Sequence, residues 1–400
     1  MNAQERSATL GLAGLFALRM FGMFIMLPVL ALHAQTLPGG HDYMLVGIAL
    51  GAYGLTQALL QVPFGYASDR FGRKPAIVVG LLMFAFGSFV AVWAPDIGWT
   101  IVGRMLQGAG AISAAVLALA ADLTRDDVRT RAMAVIGMTI GATFAVSLVT
   151  GPLLQQAIGV PGIFALTGVL ALAGIALVVW GIPAGAHGIA QRPSAAGGLG
   201  DVACTLANRQ LARLNYGIFA LHAVLMALFV QVPFGLRDAG LAPAQHWQVY
   251  LLVLAIAFVL LLPALRFADQ PVRGKWIFNA GVLTLAIGQV VLAVAGTSLT
   301  LLVGGLVVFF AAFCLLEATL PSLVSKFAPA HLRGTAVGVY SSLQFLGAFA
   351  GGAVGGVLAQ HAGAAAVFGF GVLLTLGWLI ASATMAAPPA YHSTYSMGET

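Results

Sequence analysis

The sequence predicts an all-α membrane protein with twelve transmembrane helices in two six-helix bundles. Three observations predict it: the apolar composition, the length of the apolar runs and the placement of the positive charges. Of 400 residues, 60% are hydrophobic and 8% charged, against roughly 25% charged in an ordinary soluble domain. A soluble core cannot enclose that much apolar surface. A bilayer core of about 30 Å can, at about 20 residues per helix. The runs have that length rather than the alternation over about 10 residues of barrel strands, which excludes a β-barrel.

In chain order the spans are expected at about 9–33, 44–67, 75–94, 98–122, 131–156, 161–182, 212–236, 247–267, 275–296, 299–325, 332–360 and 364–386. The first could pass for a secretion leader, but Arg19 interrupts it and Leu32 occupies the −3 position before Ala34. It is therefore expected to be retained. Pro75 suits the first turn of the third span. After the sixth comes one long connection, rich in Gly, Ala and Pro and carrying Arg192, Asp201 and Arg209. That composition suits a linker. The expected organisation is an N-terminal bundle over 1–182, a cytoplasmic linker over 183–211 and a C-terminal bundle over 212–400. Too few residues follow the last span for an appended soluble domain, and none is expected.

Charge placement sets the orientation. Of the 18 Lys and Arg residues, fifteen fall in alternate loops on the side of the N-terminus, among them Arg70, Arg73, Lys74, Arg125, Arg129, Arg266, Arg273 and Arg333. Only Arg237 falls opposite, while Arg19 and Arg104 lie within spans. By the positive-inside rule both termini are cytoplasmic. The net charge of +6 is thus a membrane-topology signal and not a nucleic-acid footprint. The halves also match at an offset of roughly 200 residues, the mark of a duplicated transporter fold. Asp69, Arg73 and Ile77 align with Asp269, Arg273 and Ile277, and Arg131, Ala134 and Val135 with Arg333, Ala336 and Val337.

The most specific string is Gly65-Tyr66-Ala67-Ser68-Asp69-Arg70-Phe71-Gly72-Arg73-Lys74-Pro75, between the second and third spans. Gly65 admits a close helix and Gly72 a tight turn. Asp69 can accept from a helix N-terminus, and Arg73 can reach Asp122. The string resembles motif A of the major facilitator superfamily, Gly-x-x-x-Asp-Arg-x-Gly-Arg-Lys. The resemblance implies a gating latch of Gly65, Asp69, Arg70, Gly72, Arg73, Lys74 and Asp122, closing on the start of the eleventh span near Arg333 and Gly334. Arg104-Met105-Leu106-Gln107-Gly108 resembles the Arg-x-x-Gln-Gly motif B of proton-coupled members. Gly137, Gly141, Gly151 and Pro152 in the fifth span resemble the antiporter motif C, although Ser147, Gln155 and Gln156 depart from it. Further likeness runs through Leu18–Phe24, Gly338–Ser341 and Gln344–Gly347. Together these imply a drug and proton antiporter of the bacterial inner membrane.

A charge at bilayer depth costs about 2.5–3.5 kcal/mol on insertion scales, so each one asks for a reason. Glu317 is the acid deepest in a span and the leading proton carrier. Arg104 and Arg19 are candidates for coupling, and His222, which titrates near neutral pH, for a relay. In the superfamily the first, fourth, seventh and tenth spans line the cavity, which here implies Met23, Phe24, Gln107, Met226, Gln231 and Phe313. Such Met and aromatic walls suit lipophilic or amphipathic solutes.

The expected function is proton-coupled efflux by alternating access, with symport or facilitated uptake of a small nutrient as the alternative. No Walker A string, His-Glu-x-x-His or Gly-x-Ser-x-Gly motif appears, so neither nucleotide hydrolysis nor an enzyme is expected, and there are no catalytic residues to name. Cys204 and Cys314 offer no metal-ligand spacing, and no cofactor or metal is expected. The expected partners are a small-molecule substrate, protons and membrane lipid, with no nucleic acid, and the chain is expected to be a monomer.

Overall fold

The computed structural model describes residues 1–182, 199–268 and 271–386. Among them are thirteen α-helices and no strand. They are α1 (Ala3–Phe24), α2 (Leu30–Ala34), α3 (Tyr43–Phe71), α4 (Arg73–Val92), α5 (Ile97–Ala109), α6 (Ser113–Asp122), α7 (Asp126–Ala176), α8 (Leu199–Ala207), α9 (Arg209–Asp238), α10 (His246–Ala268), α11 (Pro271–Val294), α12 (Leu299–Phe327) and α13 (Arg333–Ala383). Side-chain caps start several of them. Asp42 accepts from the Met44 amide at 2.8 Å, Asp96 from Trp99 at 3.0 Å and Asn208 from Gln210 at 3.0 Å, each satisfying a donor that has no partner within its helix.

Ten helical stretches are long and apolar enough to cross a membrane, and two of them, Asp127–Gly181 and Arg333–Ala383, run 55 and 51 residues. Each of these folds back on itself at a glycine, Gly159 with φ 68° and Gly363 with φ 75°, backbone open to glycine alone. The ten stretches thus make twelve crossings, as composition predicts. Exposed Phe86, Leu59, Leu262 and Ile380 present apolar surface outward, and exposed Trp93 and Trp99 at one end and Trp180 and Trp276 at the other mark the two interfaces.

Three details depart from the sequence reading. The first span is not continuous: α1 stops at Phe24 and α2 starts at Leu30, because Pro28 has no N–H to donate. The fourth is broken between Ala109 and Ser113. The connection expected at 183–211 contains α8; its residues 183–198, with Arg192, lie outside the described residues, as does Asp269.

Glycines set the helix spacing. α13 presents Gly347, Gly351 and Gly355 to α9, where a Cβ on Gly351 would overlap the Ala223 carbonyl. An adjacent face presents Gly352 and Gly356 to α3, where a Cβ on Gly352 would overlap the Gly47 carbonyl. Small residues spaced by four let backbones touch. The second contact joins the halves, and it lies near one end of the bundle. There the Tyr43 amide donates to Gln360 Oε1 at 2.9 Å, Arg237 to Gln35 at 2.9 Å and Gln156 to the Ala244 carbonyl at 2.6 Å. Toward the other end, which carries Asp69, positions beside Gly137, Gly141, Gly334 and Gly338 open onto empty space. These hydrogen bonds between the halves thus gather at the Tyr43 mouth, while a Cβ on any of the four glycines toward the Asp69 end would meet nothing within 4 Å.

Candidate proton and solute site

Among the described residues, two polar clusters within the apolar core contain ionisable side chains. In the C-terminal half, His222 of α9, Glu317 of α12 and Gln344 of α13 meet. His222 Nδ1 lies 3.3 Å from the Ile218 carbonyl, which only accepts, so Nδ1 carries the hydrogen and Nε2 is the acceptor. Gln344 Nε2 then donates to His222 Nε2 at 2.8 Å and to Glu317 Oε1 at 3.4 Å. Glu317 Oε2 stands 3.9 Å from His222 Nε2, and the carboxylate side chain keeps 34% exposure. A carboxyl group whose Oε2 is buried without a hydrogen-bond partner, held at Oε1 by an amide that also holds an imidazole, can take up and release a proton.

An aromatic wall adjoins this cluster. Phe313, one turn before Glu317 on α12, has its ring 6.0 Å from His222 and 5.7 Å from Phe144 of α7. Phe144 in turn meets Phe24 of α1 edge-on at 5.0 Å. The wall thus bridges the two halves. Phe144 and Gln344 were missed as site residues by sequence reasoning. An amide in mid-span was a readable signal for Gln344, whereas nothing distinguishes Phe144 from the other 23 of the 24 phenylalanines.

The second cluster is in the N-terminal half. Arg19 donates to the Gly110 carbonyl at 3.2 Å, to Ser113 Oγ at 2.9 Å and to Gln57 Oε1. The break between α5 and α6 leaves that carbonyl available. Arg104 donates to Gln107 Oε1 at 2.9 Å, and Gln107 to Ser88 at 2.8 Å. Both guanidinium groups lie over the Tyr53 ring, at 5.7 and 5.2 Å. Arg19 and Arg104 are thus brought to each other and not to Glu317. Gln107, expected on the cavity wall, is buried between α5 and α4, its amide held by Ser88 and Arg104. Met226 is buried and Gln231 half-buried on α9, while Met23 is half-buried on α1.

The residues between α3 and α4 form a third group. Gly72 turns the chain at φ 100°. Arg73 pairs with Asp69 and, at 3.2 Å, with Asp122, and donates to Ser68 at 3.0 Å. Lys74 donates to the Ile182 carbonyl, tying α4 to the end of the sixth crossing. Arg70 lies over the neighbouring Phe71 ring at 5.5 Å. Gly65 does not enforce a close approach here: a Cβ on it would sit 3.7 Å from Ala114 Cβ, an ordinary contact. Nor does Asp69 meet the start of α13, since Arg333 is exposed and Gly334 faces open space. In α7, Gly151 packs on the break in α1, where a Cβ would fall 2.8 Å from Pro28 Cγ. Next to it the Pro152 carbonyl accepts from Gln156 at 3.4 Å, while Gly141 faces open space.

Residues 12–352 match the family model described as Major Facilitator Superfamily. The chain belongs to the major facilitator superfamily. It is 45% identical over 395 residues to the inner membrane transport protein YajR of Escherichia coli K12, covering 98% of this chain and 86% of that protein. It is 28% identical to the multidrug resistance protein MdtH of Aeromonas salmonicida, over 86% of this chain and 85% of MdtH. The fold matches the crystal structure of a D-xylose–proton symporter at TM-score 0.77 and 14% identity, covering 96% and 99% of the two chains. It also matches a bacterial homologue of the human lysosomal transporter Spinster, in an inward-facing and unoccupied conformation, at TM-score 0.76 and 13% identity over 96% and 98%. This superfamily member is a multi-pass inner-membrane transporter and not an enzyme. A latch at Asp69, as the motif A resemblance implies, makes a direct prediction. Asp69→Asn is expected to abolish transport while leaving the melting temperature within about 2 °C of the parent, as surface substitutions generally do. Full transport by that variant removes the latch from the account.

Proposed function

We propose that this transporter exports lipophilic or amphipathic small molecules in exchange for protons. The observation that carries this reading is the junction of Glu317, His222 and Gln344 with the aromatic wall of Phe313, Phe144 and Phe24. A titratable group and an adaptable apolar surface share one position between the halves. Solute and proton can then compete for one opening. The likeness to a protein named for multidrug resistance supports export.

In this reading the basic end is cytoplasmic, and the Asp69 mouth opens to the cytoplasm. Residues 1–182 and 212–400 move as two bodies joined by 183–211, and one chain suffices as a monomer. The apolar body of the solute enters from the cytoplasm or inner leaflet and lies on the Phe wall. Closure of the Asp69 mouth and parting of the Gly47–Gly352 seam turns the site outward. Glu317 there receives a proton, the solute leaves, and the proton is released when the cytoplasmic mouth reopens.

Proteoliposomes with an imposed pH gradient and a panel of lipophilic and amphipathic solutes test the exchange. Antiport predicts solute movement against the proton flow. Movement of solute along with protons would establish symport in its place.

A further inference from the structure

The two buried arginines of the N-terminal half, Arg19 and Arg104, take no part in this exchange. Arg104 is 0% exposed and Arg19 3%, and a charge at that depth is expensive. None of their hydrogen-bond partners is a carboxylate: they are the Gly110 carbonyl, Ser113, Gln57 and Gln107. Every acidic residue of 1–182 stands within three residues of a helix end, out of reach of the cluster's centre. Arg104 Nε and Nη2 and Tyr53 Oη are buried with no hydrogen-bond partner. Three donor atoms on two side chains in ring contact thus stand without partners beside two positive charges. Leaving such donors unmet costs about 1–3 kcal/mol each, more for charged ones, so the arrangement persists best if an acceptor completes it.

We infer that Arg104, Tyr53 and Arg19 form a receptor for an oxyanion, and that the carried solute is an amphipathic carboxylate whose charged end docks there. A planar carboxylate has the geometry to accept two parallel N–H groups from the Nε and Nη2 edge of a guanidinium, and Tyr53 Oη supplies a third donor. Arg19, fixed by its own partners, contributes charge. The place suits a solute that also uses the aromatic wall, because Met23 and Phe24 follow Arg19 by about one turn of α1. Tyr53 also stands at the seam between the halves, its ring 6.4 Å from that of Phe345 on α13. An anion bound there touches the contact that must part for the site to face outward. The inference rests on the transport reading for the word solute, but the receptor itself is tested by binding alone.

The test is a thermal melt of the purified chain in detergent with octanoate, benzoate and 2-naphthoate, each beside its neutral amide. At about ten times its dissociation constant, a bound acid is expected to raise the midpoint by about 1–2 °C, and its amide is expected to leave it unchanged. Arg104→Gln should remove the shift. Should that variant not fold, Tyr53→Phe, which deletes only an oxygen without a partner, should keep the fold and weaken binding by roughly fivefold or more. Equal shifts from acid and amide, no shift from any acid, or an unchanged shift in both variants overturns the receptor. Because no gradient is involved, such a failure leaves proton exchange standing. Conversely, loss of exchange by a chain that still binds the acid isolates a failure of the antiport reading.

Discussion

Glu317→Gln is expected to reduce pH-gradient-driven solute movement to the level of protein-free liposomes, while solute exchange without a gradient continues. Glutamine has nearly the shape of glutamic acid and can still meet the Gln344 amide that now lies 3.4 Å from Oε1, so the packing around Phe313 and His222 should hold. What it cannot do is change charge. If Glu317 carries the proton, the permanently neutral variant can still hold solute on the aromatic wall and reorient with it, but it has no charge change to couple to the gradient. If the residue serves only to pair with His222 across 3.9 Å, the substitution would lower stability and leave coupling intact. The pair of flux measurements separates these outcomes, with retained gradient-driven transport deciding against the proton role.

The next largest effect is expected at α13, where two glycine faces do different jobs. A Cβ on Gly351 would collide with the Ala223 backbone of α9 in the same half. Neither partner can rotate away, so Gly351→Ala should force α9 and α13 apart at a cost of about 1–3 kcal/mol, the range for overpacked cores, seen as a lower melting midpoint and reduced yield. Gly352→Ala adds the same methyl one residue on, but against Gly47 of the other half. That contact can be relieved by parting the halves, so the variant should fold normally and favour the conformation open at the Tyr43 mouth. Labelling of a thiol placed at Gln360 should rise in it. As a contrast, Gly338→Ala meets nothing within 4 Å and should stabilise the helix by about 0.5–1 kcal/mol. Equal effects at 351, 352 and 338 would mean that these glycines are not the spacing device argued here.

The fold was legible because its causes are local. Apolar run length fixes the crossings, including the breaks at 157–160 and 361–363 where the structure turns at Gly159 and Gly363, and Arg73, Lys74 and Asp122 sit close to helix ends that any twelve-span arrangement brings together. The sites were only half legible, for two physical reasons. Helices that are apolar all round give no periodic signal of which face looks inward, so Gln107 could not be told from a cavity residue until Ser88 was seen to hold it. Long-range convergence is also invisible: Gln344 meets His222 across 122 positions and Glu317 across 27. The separation of Arg19 and Arg104 from Glu317 follows from the division into halves, and only the structure shows that Tyr53 gathers both arginines.

Alternating access by these halves requires the seam between α3 and α13 to open in every cycle. Tyr43→Cys and Gln360→Cys, joined in the native structure by a hydrogen bond of 2.9 Å, can be bridged by a short reducible thiol reagent in a chain whose Cys204 and Cys314 are replaced by Ser. Bridging is predicted to stop gradient-driven flux in proteoliposomes, and reduction to restore it. Flux that continues undiminished through the fully bridged chain would contradict alternating access by these two halves.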